Sequence, residues 1–84
     1  MATGSVEVHL FASARAAVGQ SSVSLEPGTL ADLLDRIQAA APAFARVRPQ
    51  CSYLIEGVSA HGDLDLVDVP AGTRVDVLPP FAGG

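Results

Sequence analysis

The chain contains no lysine; its five basic residues are all arginines, Arg15, Arg36, Arg46, Arg48 and Arg74. It therefore offers no side-chain amine on which a second copy could be conjugated, although an alanine- and arginine-rich composition thins out lysine in any case. Cys51 is the single cysteine, so no internal disulfide is possible. No apolar run approaches the ~20 residues that cross a bilayer. Met1–Ser5 lack the basic and apolar regions of a secretory signal. A cytoplasmic protein without a membrane partner fits these absences. Charged residues make up 17% of the chain and the net charge is −4. That balance argues against nonspecific nucleic-acid binding, which needs a basic footprint.

Recognisable site chemistry is also scarce. There is no glycine-rich phosphate loop and no Ser/His/Asp set. His9, His61 and Cys51 do not have the spacing of metal ligands. Asp63, Asp65 and Asp68 alternate with leucines but lack the glycine and distal glutamate of a calcium loop, so they read as a solvated loop. Cys51 opens an apolar run and reads as a small core residue rather than a nucleophile.

What is present is enough for one domain. Hydrophobic residues make up 49% of 84 residues, enough for a single modest core. Val6, Val8 and Leu10 alternate with Glu7, His9 and Phe11, the period of a half-buried strand. Ala14–Val18 predicts a short helical turn stopped by Gly19, and Ser22–Leu25 a second strand. Pro27-Gly28 then breaks the chain, and Thr29 is a good N-cap with Asp32 favouring the helix start. Leu30, Leu33, Leu34 and Ile37 share one helix face, and Pro42 ends the helix. Phe44 and Val47 tuck a connecting segment onto the core. Cys51–Ile55, Val58–Ala60 and a last strand holding Val75 and Val77 follow. This order predicts an α+β β-grasp (ubiquitin-like) fold, a mixed sheet crossed by one main helix. The expected boundaries are a flexible N-terminus at 1–5, the domain at 6–78 and a flexible tail at 79–84.

The ending carries the function. Pro79 and Pro80 have no amide hydrogens to pair and stiffen the exit from the last strand. Phe81, Ala82, Gly83 and Gly84 complete the tail, which extended spans roughly 20 Å. The glycines have no side chains, so the last backbone atoms can enter a channel too narrow for other residues. Beside the exit, Phe11 and Leu78 have the opposite parity to the core residues of their strands. The first and last strands of such a sheet are parallel neighbours, so these two form a candidate docking patch.

The chain resembles the MoaD-like small subunits of molybdopterin synthase, within the MoaD/ThiS sulfur carriers. The resemblance rests on Val8-His9-Leu10-Phe11-Ala12-Ser13-Ala14-Arg15, on Thr29-Leu30-Ala31-Asp32-Leu33-Leu34 and on Val75 to Gly84, and spans Val6 to Gly84. The proline pair is specific, since thiamine-pathway members usually lack it. Cys51 to Gly57 departs from the Val-Asn pattern of the main MoaD branch. The resemblance implies that Gly84 is the reactive residue. A MoeB-like E1 adenylating enzyme would use ATP to activate its carboxylate, and a sulfur donor would convert it to a thiocarboxylate. The tail would then insert into a MoaE-type large subunit that supplies the catalytic side chains. No cofactor is implied on the chain itself. Two alternatives stay open: a carrier for a thiazole, cysteine or other thio-metabolite, and a non-catalytic β-grasp binding module.

Overall fold

A computed structural model describes residues 4–80. Met1, Ala2 and Thr3, and Phe81, Ala82, Gly83 and Gly84 of the tail, lie outside the described residues.

Strand β1, Val6–Leu10, buries Val6, Val8 and Leu10 and turns Glu7 and His9 outward. Helix α1, Ala12–Val18, starts two residues before the expected turn and ends at Gly19, whose φ of 84° closes it with a bond from its amide to the Arg15 carbonyl at 2.8 Å. Strand β2, Ser22–Leu25, returns antiparallel to β1, with Val6 opposite Leu25. A two-residue strand β3, Gly28–Thr29, leads into helix α2, Leu30–Ala40. Thr29 and Asp32 cap that helix reciprocally. The Asp32 amide donates to Thr29 Oγ1 at 3.1 Å, and the Thr29 amide donates to Asp32 Oδ2 at 3.2 Å.

Leu30, Leu33, Leu34 and Ile37 form the buried stripe of α2. A one-turn helix α3, Phe44–Val47, then drives Phe44 fully into the core. Strands β4, Ser52–Ile55, and β5, Val58–Ala60, form a hairpin over Glu56 (φ 50°) and Gly57 (φ 82°). Positive φ at both central residues is the turn whose twist suits a two-residue hairpin. Strand β6, Asp68–Val69, pairs only with β3. The last strand, β7, Arg74–Leu78, enters the middle of the sheet. Glu56 fixes its start: the Glu56 amide donates to the Arg74 carbonyl at 2.9 Å, and the Arg74 amide donates to Glu56 Oε2 at 2.6 Å.

The main sheet has the order β2-β1-β7-β4-β5, antiparallel except for the parallel β1–β7 pair. Parallel neighbours need a long crossover, and α2 lies within it. This is the β-grasp architecture expected from the sequence. Helices cover one face of the sheet, and the alternating residues of the other face meet solvent.

Substitutions should separate core from cap. Phe44→Ala empties a fully buried aromatic site and should cost about 3–5 kcal/mol. Thr29→Ala removes one half of the capping box and should cost about 1 kcal/mol. Urea unfolding monitored by circular dichroism measures both; equal losses would contradict the packing described.

Candidate functional site at the tail root

The parallel pairing of β1 with β7 builds this site. Glu7, Val8, His9 and Leu10 lie beside Arg74, Val75, Asp76 and Val77. The next residues along the two strands are Phe11 and Leu78. Phe11 keeps an extended backbone, φ −123° and ψ 153°, and its amide donates to the Val77 carbonyl at 3.3 Å. The chain turns only at Ala12, whose φ of 49° is unusual for a residue with a Cβ. Phe11 therefore continues the alternation of β1. It stays 38% exposed although it is a large apolar side chain. Leu78 is half-buried and has the opposite parity to the buried Val75 and Val77.

Pro79 has the parity of Val75 and Val77 and is buried, whereas Pro80 is exposed. The first residue of the expected tail is thus held by the body. At the other end of the domain, the Ser5 carbonyl accepts from the Gly72 amide at 3.0 Å.

Strand β4 brings a third apolar residue to the outer face. Leu54 lies opposite Asp76 on one side and Ser59 on the other, with buried Tyr53 on the reverse face. Leu54 is half-buried and two residues along β4 from Ser52, which pairs with Leu78. The sequence reading missed it, because Leu54 and Ile55 are both apolar and either could face inward. Parity from Tyr53, with its phenol needing a partner, is the signal that finds it.

Polar groups on the outer face cluster on β1 and β7. Arg74 Nε donates to Asp76 Oδ1 at 2.8 Å, and His9 Nε2 lies 3.4 Å from Glu7 Oε1. His9 is thus an outer-face residue, as its parity indicated. His61 is exposed after β5. Among the described residues, no group of three His, Cys, Asp or Glu side chains is placed to hold a metal. No helix among them is long and apolar enough to cross a membrane.

Cys51 directly precedes Ser52, whose pairing with Leu78 ends the β4–β7 ladder. Its Sγ donates to the Val47 carbonyl at 3.3 Å, and burial pushes the thiol above its usual range. A protonated, hydrogen-bonded thiol is a poor nucleophile. Tyr53 donates its hydroxyl to the Arg48 carbonyl at 3.0 Å. Burial, with the neighbouring Cys51 adding to it and Arg48 opposing it, pushes the phenol up to about 12. Neither residue is built for acid–base work near neutrality.

Comparison with known proteins agrees with this geometry. The family model described as the ThiS family matches residues 8–84. The chain belongs to the ThiS family. It is a β-grasp sulfur carrier of the ThiS/MoaD group, whose members are activated at the C-terminus. Among solved structures it is similar to SAMP1 of Haloferax volcanii, with 29% identity, 96% of this chain and 100% of that one covered, and a TM-score of 0.80. A putative molybdopterin converting factor subunit 1 of Pyrococcus furiosus shares the fold at 20% identity, covering 94% and 100% with a TM-score of 0.78. So does the Helicobacter pylori complex of subunits 1 and 2 of molybdopterin-converting factor, at 18% identity, 95% and 99% coverage and a TM-score of 0.69. Comparison with curated protein sequences gives no significant match.

Two measurements follow from the site. Phe11→Lys or Leu78→Lys should leave the circular dichroism spectrum unchanged and weaken binding to a tail-receiving partner by about 2 kcal/mol if the residue is a central anchor. Intact folding with unchanged affinity would remove the patch. Tyr53 holds its proton more tightly folded than unfolded, so its contribution is complete below its ordinary value of 10 and is lost as pH rises towards about 12. Urea midpoints should fall across that window, and Tyr53→Phe should flatten the fall.

Proposed function

We propose that this chain is the sulfur carrier of molybdenum cofactor biosynthesis, the small subunit of molybdopterin synthase. A carboxylate is a poor electrophile. An E1-like, MoeB-like enzyme would join the Gly84 carboxylate to AMP and release pyrophosphate from ATP. A sulfur nucleophile at the oxidation level of sulfide would then displace AMP and leave a thiocarboxylate. Inside a MoaE-type large subunit that sulfur would attack the pterin precursor, and water would later free the carboxylate of Gly84. The carrier would supply the reacting end and its delivery. Acid–base residues would come from the large subunit.

The observation that supports this reading best is the path of β7. It runs through the centre of the sheet, passes Phe11 at Leu78 and meets a buried Pro79 and an exposed Pro80. A stiff exit beside an exposed apolar side chain suits a carrier that docks by its sheet and threads its end into a partner. The Helicobacter pylori neighbour, described together with subunit 2 of its converting factor, indicates the kind of partner meant.

A second reading has its own support. The 29% identity with a small archaeal modifier protein favours a modifier, in which activated Gly84 is passed to another molecule as an acyl group. A thiazole or amino-acid sulfur pathway would also use the same activation.

One reconstitution separates these. The chain, an E1-like adenylating enzyme, ATP and sulfide should give a product in which one terminal oxygen is replaced by sulfur. Mass spectrometry reads that change, and deletion of Gly83-Gly84 should abolish it with little change in Tm. Adding a MoaE-type subunit and cyclic pyranopterin precursor should yield molybdopterin and the plain carboxylate. A thiocarboxylate that sulfurates another precursor, or an acyl adduct on a protein amine, would reject the molybdopterin assignment. No activation by any such enzyme would reject the carrier.

A further inference from the structure

Strand β2 forms one side of the main sheet, and its far edge has no neighbour among the described residues. The Leu10 amide donates to the Ser21 carbonyl at 2.8 Å, whereas the Glu7 and Phe11 amides donate to Thr73 and Val77 on the side of β7. Bonded pairs alternate along an antiparallel ladder. Val23 and Leu25 therefore exchange bonds with β1, while Ser22 and Ser24 turn their amides and carbonyls to the open edge. Such edges are ordinarily blunted by charge, proline or a bulge. Ser22-Val23-Ser24-Leu25 has no charge and no proline, and its register with β1 runs without a bulge.

A groove lies along this edge. Val23 and Leu25 pack towards α2, and with Val18, Ile37, Ala40 and Ala41 they line a cavity of about 100 Å³, room for a branched aliphatic side chain. Arg36 also borders the groove. Its Nη1 donates to the Glu26 carbonyl at 2.8 Å. No carboxylate among the described residues forms an ion pair with it. Asp32, one turn earlier on α2, accepts from the Thr29 amide instead. The groove thus carries a cation whose opposite charge is still to be supplied.

We propose that this edge and groove receive an extended segment of another protein by strand addition. The segment bonds Ser22 and Ser24 through its backbone, as a sixth strand of the main sheet. One of its alternate side chains, an aliphatic one, fills the groove, and a carboxylate beside it pairs with Arg36. A second copy of this chain fits less well. Paired two-fold about Val23, it would set its own Gln20 against Glu26, so Arg36 would gain no carboxylate, and each copy carries a net charge of −4. Strand β1 separates this edge from β7. A partner held here would therefore leave the end of β7 open, whatever Gly84 carries.

Nuclear magnetic resonance of the whole chain tests this. The probe is a capped peptide in which isoleucine alternates with serine and aspartate stands at one end. In the free chain the Ser22 and Ser24 amides should exchange with deuterium about tenfold or more faster than those of Val23 and Leu25. Saturating peptide should slow both to the range of their neighbours. Arg36→Gln should weaken this peptide about tenfold and its asparagine counterpart by less than about twofold. Ser24→Pro removes an edge amide that β1 does not use, so the fold should persist and binding should fall about tenfold. Tm is measured for both variants, and Arg36→Gln decides should Ser24→Pro not fold. No binding at roughly millimolar peptide would overturn the proposal. So would equal losses for both peptides on Arg36→Gln. Protection of Ser22 and Ser24 that rises with protein concentration and needs no peptide would overturn it too, by assigning the edge to a second copy.

Discussion

The parallel pairing of the first strand with the last organises this molecule. Val8 beside Val75 and Leu10 beside Val77 place two buried rows at the centre of the sheet. Two chain ends cannot pair in parallel without a crossover, and α2 sits in that crossover. Its stripe of Leu30, Leu33, Leu34 and Ile37 is needed to cover the rows the pairing creates. The same pairing sets Phe11 next to Leu78 and sends the chain out between β1 and β4. The core and the presentation of the tail therefore have one structural cause. Weakening the β1–β7 ladder would affect both.

A sheet covered on one side has faces with different duties. The inner face is closed by α2 and by Phe44 of α3. Among the described residues no layer covers the outer face, and its alternating positions hold small hydroxyls, paired charges and the accessible or half-buried apolar side chains Phe11, Leu54 and Leu78. A fully apolar outer face would aggregate along with any exposed edge. A fully charged face would give no area to bury against a partner. The mixture leaves a small apolar strip of Phe11, Leu54 and Leu78 where β7 ends. Such a strip suits reversible contacts, because a carrier must release each enzyme before meeting the next.

Much of this was legible in the residues. Alternation in Val6–Leu10 and at Val75 and Val77, the Thr29 cap and the 3.6-residue stripe of α2 are strong local signals, and each resolves as expected. The helix after Phe11 is longer than its glycine stop alone suggested, because Ala12 takes up the corner in a conformation no propensity indicates. Strands β3 and β6 are two residues each and exist only through each other, so no periodicity could announce them. Helix α3 is one turn, too short for a stripe, although Phe44 and Val47 do pack as the sequence implied. The outer position of Leu54 was hidden by apolar neighbours on both sides. Phe11 and Leu78 were legible by parity, and the parallel pairing of first and last strands expected to bring them close is present. Gly83-Gly84 lies outside the described residues, and the role expected of it rests on the slim, proline-stiffened ending together with the resemblance.

The burial of Pro79 bears on how docking and delivery are coupled. Gly84 follows it by five residues, a span of about 18 Å when extended. On the proposed carrier reading, a docked sheet face and an inserted tail joined by so short a segment would behave as one bivalent ligand, with the tail at an effective concentration in the millimolar range. That gain exists only if the root points the segment at the channel. A root free to swivel from Val77 would spread the same tail over a wider volume. Pro79, fixed in φ and packed on the side of Val75 and Val77, limits that freedom beside Leu78. On that reading a modest patch and a side-chain-free end would together give specific delivery that neither would give alone.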